Sequence, residues 1–580
     1  MSSRLWPCVF VLWAFAQQPP PSLAGEWQAA IGSQHLGLRV EQTPGSPLKG
    51  TFVNVEAKSE IALDTLTIDA QRTVAFAITA AGATFDGKLS ADGSEIAGTI
   101  HQGGAAVPVV FRRPGAAAAP FTLKPTTKGT VALQPCRPAN AIEALCGHYE
   151  VFENRQARTG RKIALNILIV PARAETPEPD PFFALAGGPG QSATESFPQA
   201  AYVRTIAERR DVVLVDQRGT GKSNLLDCAL LSVDNPQEVL GAPYSLERIR
   251  SCRADSDRKA DTTQYMTSIA ADDLDEVRAA LGYGRVNVLG GSYGSKAALV
   301  YLRRHGEHVR TLTLEAVAPP DFLIPLPFAK GVQGAVEGVI GLCERNGACH
   351  AAYPELAQQY RAIVTRLGAA AAEFDVKNQH VTLSKEMFVS KLRSVLYVPQ
   401  FVSVFPLIVQ RASAGDWTAY AAVLMQIAPL LDRAVARGAS FAAICAEDVP
   451  AFTPALIRSA TADTDLGDSQ VRRYEEYCKA WGTAGSVPQD FHEPVRSQVP
   501  ALLISGALDP GTPPAFAQET AASLPNGRLI TIKKGTHGTG STCVDGLIAE
   551  FVTRGSAKDL DVSCVSGIHL PPFVTEVERR

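Results

Sequence analysis

The sequence predicts an α/β protein with a mostly parallel sheet, an inserted helical cap, and a small all-β domain ahead of both. Three observations carry this. Over residues 145–325 and again over 491–580, short apolar runs alternate with amphipathic helical patterns, as in a parallel sheet covered by helices. Over 326–490 that rhythm stops and helical patterns take over. Over 25–113 short alternating runs are separated by glycine-rich turns, which suits antiparallel strands. A chain of 580 residues is too long for one ordinary domain, so this division is expected.

The elements follow in order. Residues 1–24 read as an export signal and a short proline-rich stretch. Arg4 supplies a positive charge, 5–15 is apolar but too short to span a bilayer, and Ala14-Phe15-Ala16 fits a small-x-small cleavage site, with Ser22-Leu23-Ala24 as a second. Export places the mature chain in the periplasm or outside the cell. The β domain at 25–113 carries a hairpin signal at Ala91-Asp92-Gly93, because Asp-Gly tolerates the positive φ of a tight turn. It reads as a barrel or sandwich, and the sequence names no partner for it. Residues 114–144 form a linker, opening with Pro114 and four alanines before Pro120, and the start of the next domain.

The core strands are expected at 163–170, 181–186, 212–215, 286–289, 311–314, 501–505 and 529–532. Most are continuous in apolar residues, as strands buried on both faces are. Helices in the insertion are expected at 354–367, 407–412 and 420–431, with Pro354 in a first turn, where no backbone donor is needed.

Composition excludes some classes. A formal net charge of -3 gives no reason to expect a nucleic acid or an anionic membrane as partner. After the signal, no segment has enough uninterrupted apolar residues for membrane insertion. Cys8 leaves with the signal, and ten cysteines remain, an even number that suits disulfides in an exported chain. Spacing suggests neighbour pairing, Cys136 with Cys146, Cys228 with Cys252, Cys343 with Cys349, Cys445 with Cys478 and Cys543 with Cys564, without fixing the connectivity. No CxxC pair suggests a zinc site, and no metal is expected.

The chemistry centres on Gly290-Gly291-Ser292-Tyr293-Gly294, between the run 286–289 and the helical run 296–302. This strand–turn–helix setting is that of a nucleophile elbow, whose tight turn demands small flanking residues. A serine hydroxyl needs a base to become a nucleophile. In the α/β-hydrolase order the acid and then the histidine follow the serine. Asp509 comes just after the strand 501–505, and His537 just after 529–532. His305, His308, His492 and His569 lack such a setting. The glycine loop Gly187-Gly188-Pro189-Gly190 follows 181–186, so the N–H of Gly188 or Gly187, with that of Tyr293, is expected to bind an oxyanion. Gly221-Lys222-Ser223 ends like a phosphate-binding loop, but Asp216 stands where that motif needs glycine, so nucleotide binding is not expected. The triad needs no metal or organic cofactor.

Together Gly187-Gly188-Pro189-Gly190, Asp216-Gln217-Arg218-Gly219, the Ser292 elbow, Asp509 and His537 resemble the proline iminopeptidase and tripeptidyl aminopeptidase branch of the α/β-hydrolases. The resemblance runs from about residue 145 to the C-terminus, and Ala443-Ile444-Cys445-Ala446-Glu447-Asp448 resembles the secreted tripeptidyl aminopeptidases. The branch usually has histidine before GGPG, where this chain has Ala186. The resemblance implies a serine aminopeptidase acting on peptides with a free N-terminus. Such a site needs a carboxylate for the substrate's ammonium. Glu315, Glu447 and Asp448 are the candidates, Glu315 because it ends the strand after the nucleophile helix. A carboxylesterase using the same triad, or a non-catalytic binding protein on this scaffold, are the rival readings. An epoxide hydrolase or dehalogenase would need aspartate in place of Ser292.

Overall fold

The structure, a computed structural model, describes residues 22–575 apart from 32–33, 44–45, 56–58, 70, 80–81, 91, 103–104, 116–121, 139–141, 199, 483 and 539. The signal segment up to residue 21, Ala91 of the hairpin signal and most of the 114–120 linker lie outside the described residues. The chain divides into two compact units.

The first unit holds nine strands between Gly25–Ile31 and Ala105–Arg112, joined in one sheet with the first strand beside the last. The pairs whose register is defined are antiparallel, as short turns between consecutive strands require. Side chains alternate: in Ala83–Leu89, Ala83, Phe85 and Leu89 are buried and Thr84 and Asp86 exposed. Phe76, Phe85 and Phe111 pack together in the interior, and the Arg113 guanidinium lies 4.3 Å from the Trp27 ring centroid. Gly93 takes φ 71° between the strands Ala83–Leu89 and Glu95–Gln102, which is the turn that Asp-Gly announces.

The second unit is built on a ten-stranded mixed sheet. Its strands run, edge to edge, Thr126–Lys128, Val131–Cys136, Ala144–Phe152, Lys162–Val170, Val212–Val215, Phe182–Leu185, Val286–Gly291, Val309–Glu315, Ala501–Gly506 and Gly527–Ile532. From Val212–Val215 onward every pairing is parallel. The first four strands are antiparallel, and Lys162–Val170 joins Val212–Val215 antiparallel too. Lys162–Val170 thus lies outside the parallel series. The connections among these four strands are too short for a crossover. The burial of Lys162–Val170 also alternates in its first half, as in a strand with one solvated face.

The parallel strands inside the edge strand Gly527–Ile532 are buried on both faces, so Val213, Val288 and Leu312 enter one core layer while Leu214, Leu289 and Ile504 enter the other. Helices Thr267–Ala280 and Tyr293–His305 cover the first layer; Ala201–Ile206 and Thr542–Arg554 cover the second.

The inserted region is mainly helical, from Phe328–Glu344 to Ser469–Trp481, with a core that includes Val336, Phe388, Phe405 and Tyr420. Two expectations are corrected. A hairpin, Ala372–Val376 with Gln379–Leu383, interrupts the helices, and Lys377 and Asn378 both take positive φ at its turn. Pro354 lies ahead of helix Leu356–Ala369 rather than in its first turn. Five disulfides join the cysteines in the neighbour pairs that spacing suggested, with Cα–Cα distances of 5.1 to 5.8 Å. Among the described residues no single helix is long and apolar enough to cross a membrane; one pair, bent by 80°, passes by length and composition only.

Candidate active site

Ser292 sits between the strand Val286–Gly291 and the helix Tyr293–His305, at φ 57° and ψ −127°. A non-glycine residue at positive φ is strained, and such strain persists where the surroundings enforce it. Here Ser292 N–H donates to the Glu315 carbonyl at 2.9 Å, and Ser295 Oγ donates to the Ser292 carbonyl at 2.5 Å. The flanking glycines are steric requirements. A Cβ on Gly290 would stand 2.1 Å from the Gly294 carbonyl oxygen, and one on Gly294 would stand 2.1 Å from that of Leu185.

Asp509 lies in the turn after Ala501–Gly506 and is buried. Its Oδ1 accepts from the N–H groups of Gly511 at 2.7 Å and Thr512 at 2.9 Å, and its Oδ2 accepts from Thr512 Oγ1 at 2.6 Å. Both oxygens face His537 Nδ1, at 3.0 and 2.9 Å. With Nδ1 held by the carboxylate, Nε2 is the ring nitrogen left for proton transfer. The Tyr397 ring packs edge-on against the imidazole, centroids 4.4 Å apart, and its backbone carbonyl accepts from Thr536 Oγ1 at 2.8 Å. Tyr397 ends the helix Lys385–Tyr397, so the helical insertion touches the histidine directly.

The segment that follows the glycine loop is tied to Asp216. Asp216, fully buried, accepts from Ser192 Oγ at 2.7 Å, Thr194 N–H at 3.0 Å, Thr194 Oγ1 at 2.9 Å, Asn166 Nδ2 at 2.8 Å and Lys222 N–H at 3.1 Å. Arg218 makes a two-pronged contact with Asp273, at 2.6 and 2.8 Å. The Asp216-Gln217-Arg218-Gly219 segment is thus a brace between loops. Gly187 N–H donates to Gln191 Oε1 at 3.1 Å, so of the two expected glycine donors Gly187 is engaged within its own loop. Among the described residues no hydrogen bond is formed by the N–H of Gly188 or of Tyr293, the first residue of its helix.

Ser292, His537, Gly188, Glu315 and Tyr397 line one cavity of about 960 Å³. This lies in the upper part of the roughly 300–1,000 Å³ range of small-ligand sites. The three expected ammonium-binding carboxylates separate here. Glu315 lines the cavity. Glu447 and Asp448 do not: both are buried and engaged elsewhere, which corrects the expectation for them. Glu447 accepts from Thr267 N–H at 2.5 Å and from Thr267 Oγ1 at 2.8 Å, and burial, with the Asp448 charge, pushes its carboxyl up to about 7. Asp448 pairs with Lys296 Nζ at 2.7 Å, and burial raises its carboxyl against the pull of that ammonium.

A carboxylate that the sequence did not single out takes their place. Asp545, at the start of helix Thr542–Arg554, lines the same cavity. Burial first, and the Glu315 charge second, push its carboxyl up to about 7. The buried hydroxyl of Tyr202 feels both charges and is itself held well above the usual phenol range, chiefly by burial. Asp545 lies next but one to Cys543, which obscured it as part of a disulfide loop.

Family models, curated relatives and solved structures match this chain. Residues 180–358 match the family model described as alpha/beta hydrolase fold, and residues 464–564 match the model described as TAP-like protein. The serine protease Hip1 of Mycobacterium tuberculosis is 24% identical over 483 residues, 74% of this chain and 90% of that one. The tripeptidyl aminopeptidase of Streptomyces coelicolor is 25% identical over 423 residues, 65% of this chain and 75% of that one. A solved proline iminopeptidase from Mycobacterium smegmatis aligns over 70% of this chain and 98% of its own, at 15% identity and a TM-score of 0.30.

Proposed function

We propose, for a chain that carries the α/β-hydrolase fold and is a serine hydrolase related to the tripeptidyl aminopeptidases and Hip1, that it is an exported aminopeptidase acting through Ser292, His537 and Asp509. The observation that carries the triad is that His537, hydrogen-bonded to the buried Asp509, lines one cavity with a serine held at positive φ.

The reaction is acyl transfer in two steps. His537 Nε2 takes the Ser292 proton as Oγ attacks the scissile carbonyl, and Asp509 fixes the imidazole tautomer and stabilises the cation that forms. The N–H groups of Tyr293 and Gly188 receive the oxyanion, the first of them at a helix N-terminus, where the dipole favours negative charge. His537 then gives its proton to the departing amine. A water molecule, deprotonated by His537, attacks the acyl ester, and the acid product leaves as the proton returns to Ser292 Oγ.

The preference for a free N-terminus is assigned to Glu315 and Asp545. Both carboxylates line the cavity that holds Ser292. A substrate ammonium between them would offset the burial and the Glu315 charge that together raise Asp545. The tripeptidyl form of the activity rests on the TAP-like match and the Streptomyces relative. The helical insertion over the site would restrict access to chain ends. Export accords with five disulfides, which persist in oxidising compartments.

Chromogenic aminoacyl and tripeptidyl amides, each with a free and an N-acetylated terminus, test this reading. Cleavage of the free forms alone is expected. Equal cleavage of both forms would remove the aminopeptidase assignment, and cleavage of simple esters alone would favour a carboxylesterase.

A further inference from the structure

The walls of the Ser292 cavity differ in charge. On the core side stand Glu315 and Asp545. On the side of the helical insertion stand Lys391 and Arg393 from Lys385–Tyr397, Arg437 from Arg437–Glu447, and Arg473 from Ser469–Trp481. Two of these cations have carboxylates nearby: Arg473 lies 3.5 Å from Glu386, and Arg437 lies 3.5 Å from Asp432. The other two do not. Arg393 donates to the Tyr397 hydroxyl at 3.0 Å and lies 4.0 Å from the Phe328 ring centroid, but forms no ion pair among the described residues. Lys391 has neither a hydrogen bond nor an ion pair among them. The Nε atoms of Arg393, Arg437 and Arg473 are buried and also without acceptors.

All four cations are half-buried, and neighbouring cations withdrawn even partly from water repel one another at a cost unless an anion joins them. Burial first, then the charges of Arg393 and Arg437, press the Lys391 ammonium down to about 8. The cost is concentrated on the wall of a cavity that already holds the nucleophile. The polarity is also uneven: Glu315 and Asp545 stand on the core side, while the insertion side carries four cations and one carboxylate, Glu386, which lies by Arg473.

We propose that Lys391 and Arg393, flanked by Arg437, form an anion subsite that binds a carboxylate of the peptide substrate. The inference rests on the peptidase reading above and adds the substrate class: short peptides whose ammonium meets Glu315 and Asp545 while a carboxylate meets the insertion wall. Guanidinium and ammonium groups both suit a carboxylate, the first as a two-pronged donor and the second as a point charge. Two parts of a peptide carry that chemistry, the C-terminal carboxylate and an acidic side chain.

Calorimetric titration of the full chain carrying Ser292→Ala tests the proposal without turnover. Trialanine is compared with its C-terminal amide, and the amide of Ala-Ala-Glu with that of Ala-Ala-Gln. One charged peptide is expected to bind about tenfold more tightly than its neutral partner, as for a charge-assisted contact. The pair that shows the preference tells the C-terminal source from the side-chain source. Adding Lys391→Met is expected to bring the ratio below about threefold. That substitution removes an unpaired cation, so the thermal midpoint is expected to rise, which separates lost recognition from misfolding. Equal affinities within both pairs, or a ratio untouched by Lys391→Met, would overturn the subsite. Hydrolysis of free-amine amides by the unsubstituted chain is read in parallel. If hydrolysis occurs and the affinities are equal, only the subsite falls; if hydrolysis fails and the carboxylate preference persists, only the peptidase reading falls.

Discussion

Lys296 Nζ stands 2.7 Å from Asp448 Oδ1 with both residues at most 2% exposed, and so ties the helix that follows Ser292 to the end of the inserted helix Arg437–Glu447. The ammonium also donates to the Phe322 carbonyl at 2.9 Å. A buried pair of this kind stabilises little relative to an apolar pair, but breaking it leaves a bare charge. Asp448→Ala is therefore expected to lower stability by about 3–5 kcal/mol, and Lys296→Met with Asp448→Leu to restore most of it. Urea unfolding of the single and double variants measures both.

Asp509 accepts three hydrogen bonds from Gly511 and Thr512 besides facing His537, so its position does not depend on the histidine. Asp509→Asn is expected to keep the fold and lower kcat by roughly 10⁴-fold, because the amide favours the wrong imidazole tautomer. Thr512→Val removes a donor to a charged group and is expected to cost about tenfold in kcat with little change in KM. Steady-state kinetics with an unchanged thermal midpoint would bear this out; a change confined to KM would not.

The carboxyl of Asp545, raised to about 7, gives the site a pH signature. Below that value Asp545 is protonated, and above it the carboxyl is ionised and adds a negative charge to the cavity. KM for a free-amine substrate is therefore expected to fall as pH rises from 6 to 7.5, before the substrate's own amine loses its proton at about 8. Asp545→Asn should raise KM and flatten that part of the profile. An identical KM profile in the variant would remove Asp545 from ammonium recognition.

Glu447 carries a different pH dependence, in stability. Its folded carboxyl is raised to about 7 from the ordinary 4.5, so the folded chain holds this proton more tightly than the unfolded chain. Its contribution is complete below the ordinary carboxylate range and is lost as pH rises through about 7. Glu447→Gln, which imitates the protonated form toward Thr267, is expected to be more stable than the unsubstituted chain at pH 8. Its stability should also fall less between pH 5 and 8. Denaturation midpoints across that range decide, and parallel curves would contradict the assignment.

What the sequence disclosed was local. The Ser292 elbow is contiguous, and a Cβ on Gly290 or Gly294 would come within 2.1 Å of a carbonyl oxygen, so strand, turn and helix were legible together. Asp509 and His537 each follow a strand of apolar residues, and neighbouring cysteines were paired by spacing. The misses depend on distant partners. Glu447 and Asp448 looked like site carboxylates because Thr267 and Lys296, which engage them, lie 180 and 152 residues away. The cations Lys391, Arg393, Arg437 and Arg473 are spread over three helices and form no cluster in sequence. The hairpin at Ala372–Val376 and Gln379–Leu383 was hidden because its strands are largely exposed and its turn uses Lys377-Asn378 rather than a glycine pair.

The most direct test of the account is labelling of the purified chain with a serine-directed fluorophosphonate, followed by mass spectrometry of the modified peptide. One adduct per chain is expected, on Ser292, formed rapidly in the unsubstituted protein and slowed at least about a hundredfold by His537→Ala, since the hydroxyl then lacks its base. No adduct, or an adduct on another residue, would contradict the assignment of Ser292 as the nucleophile.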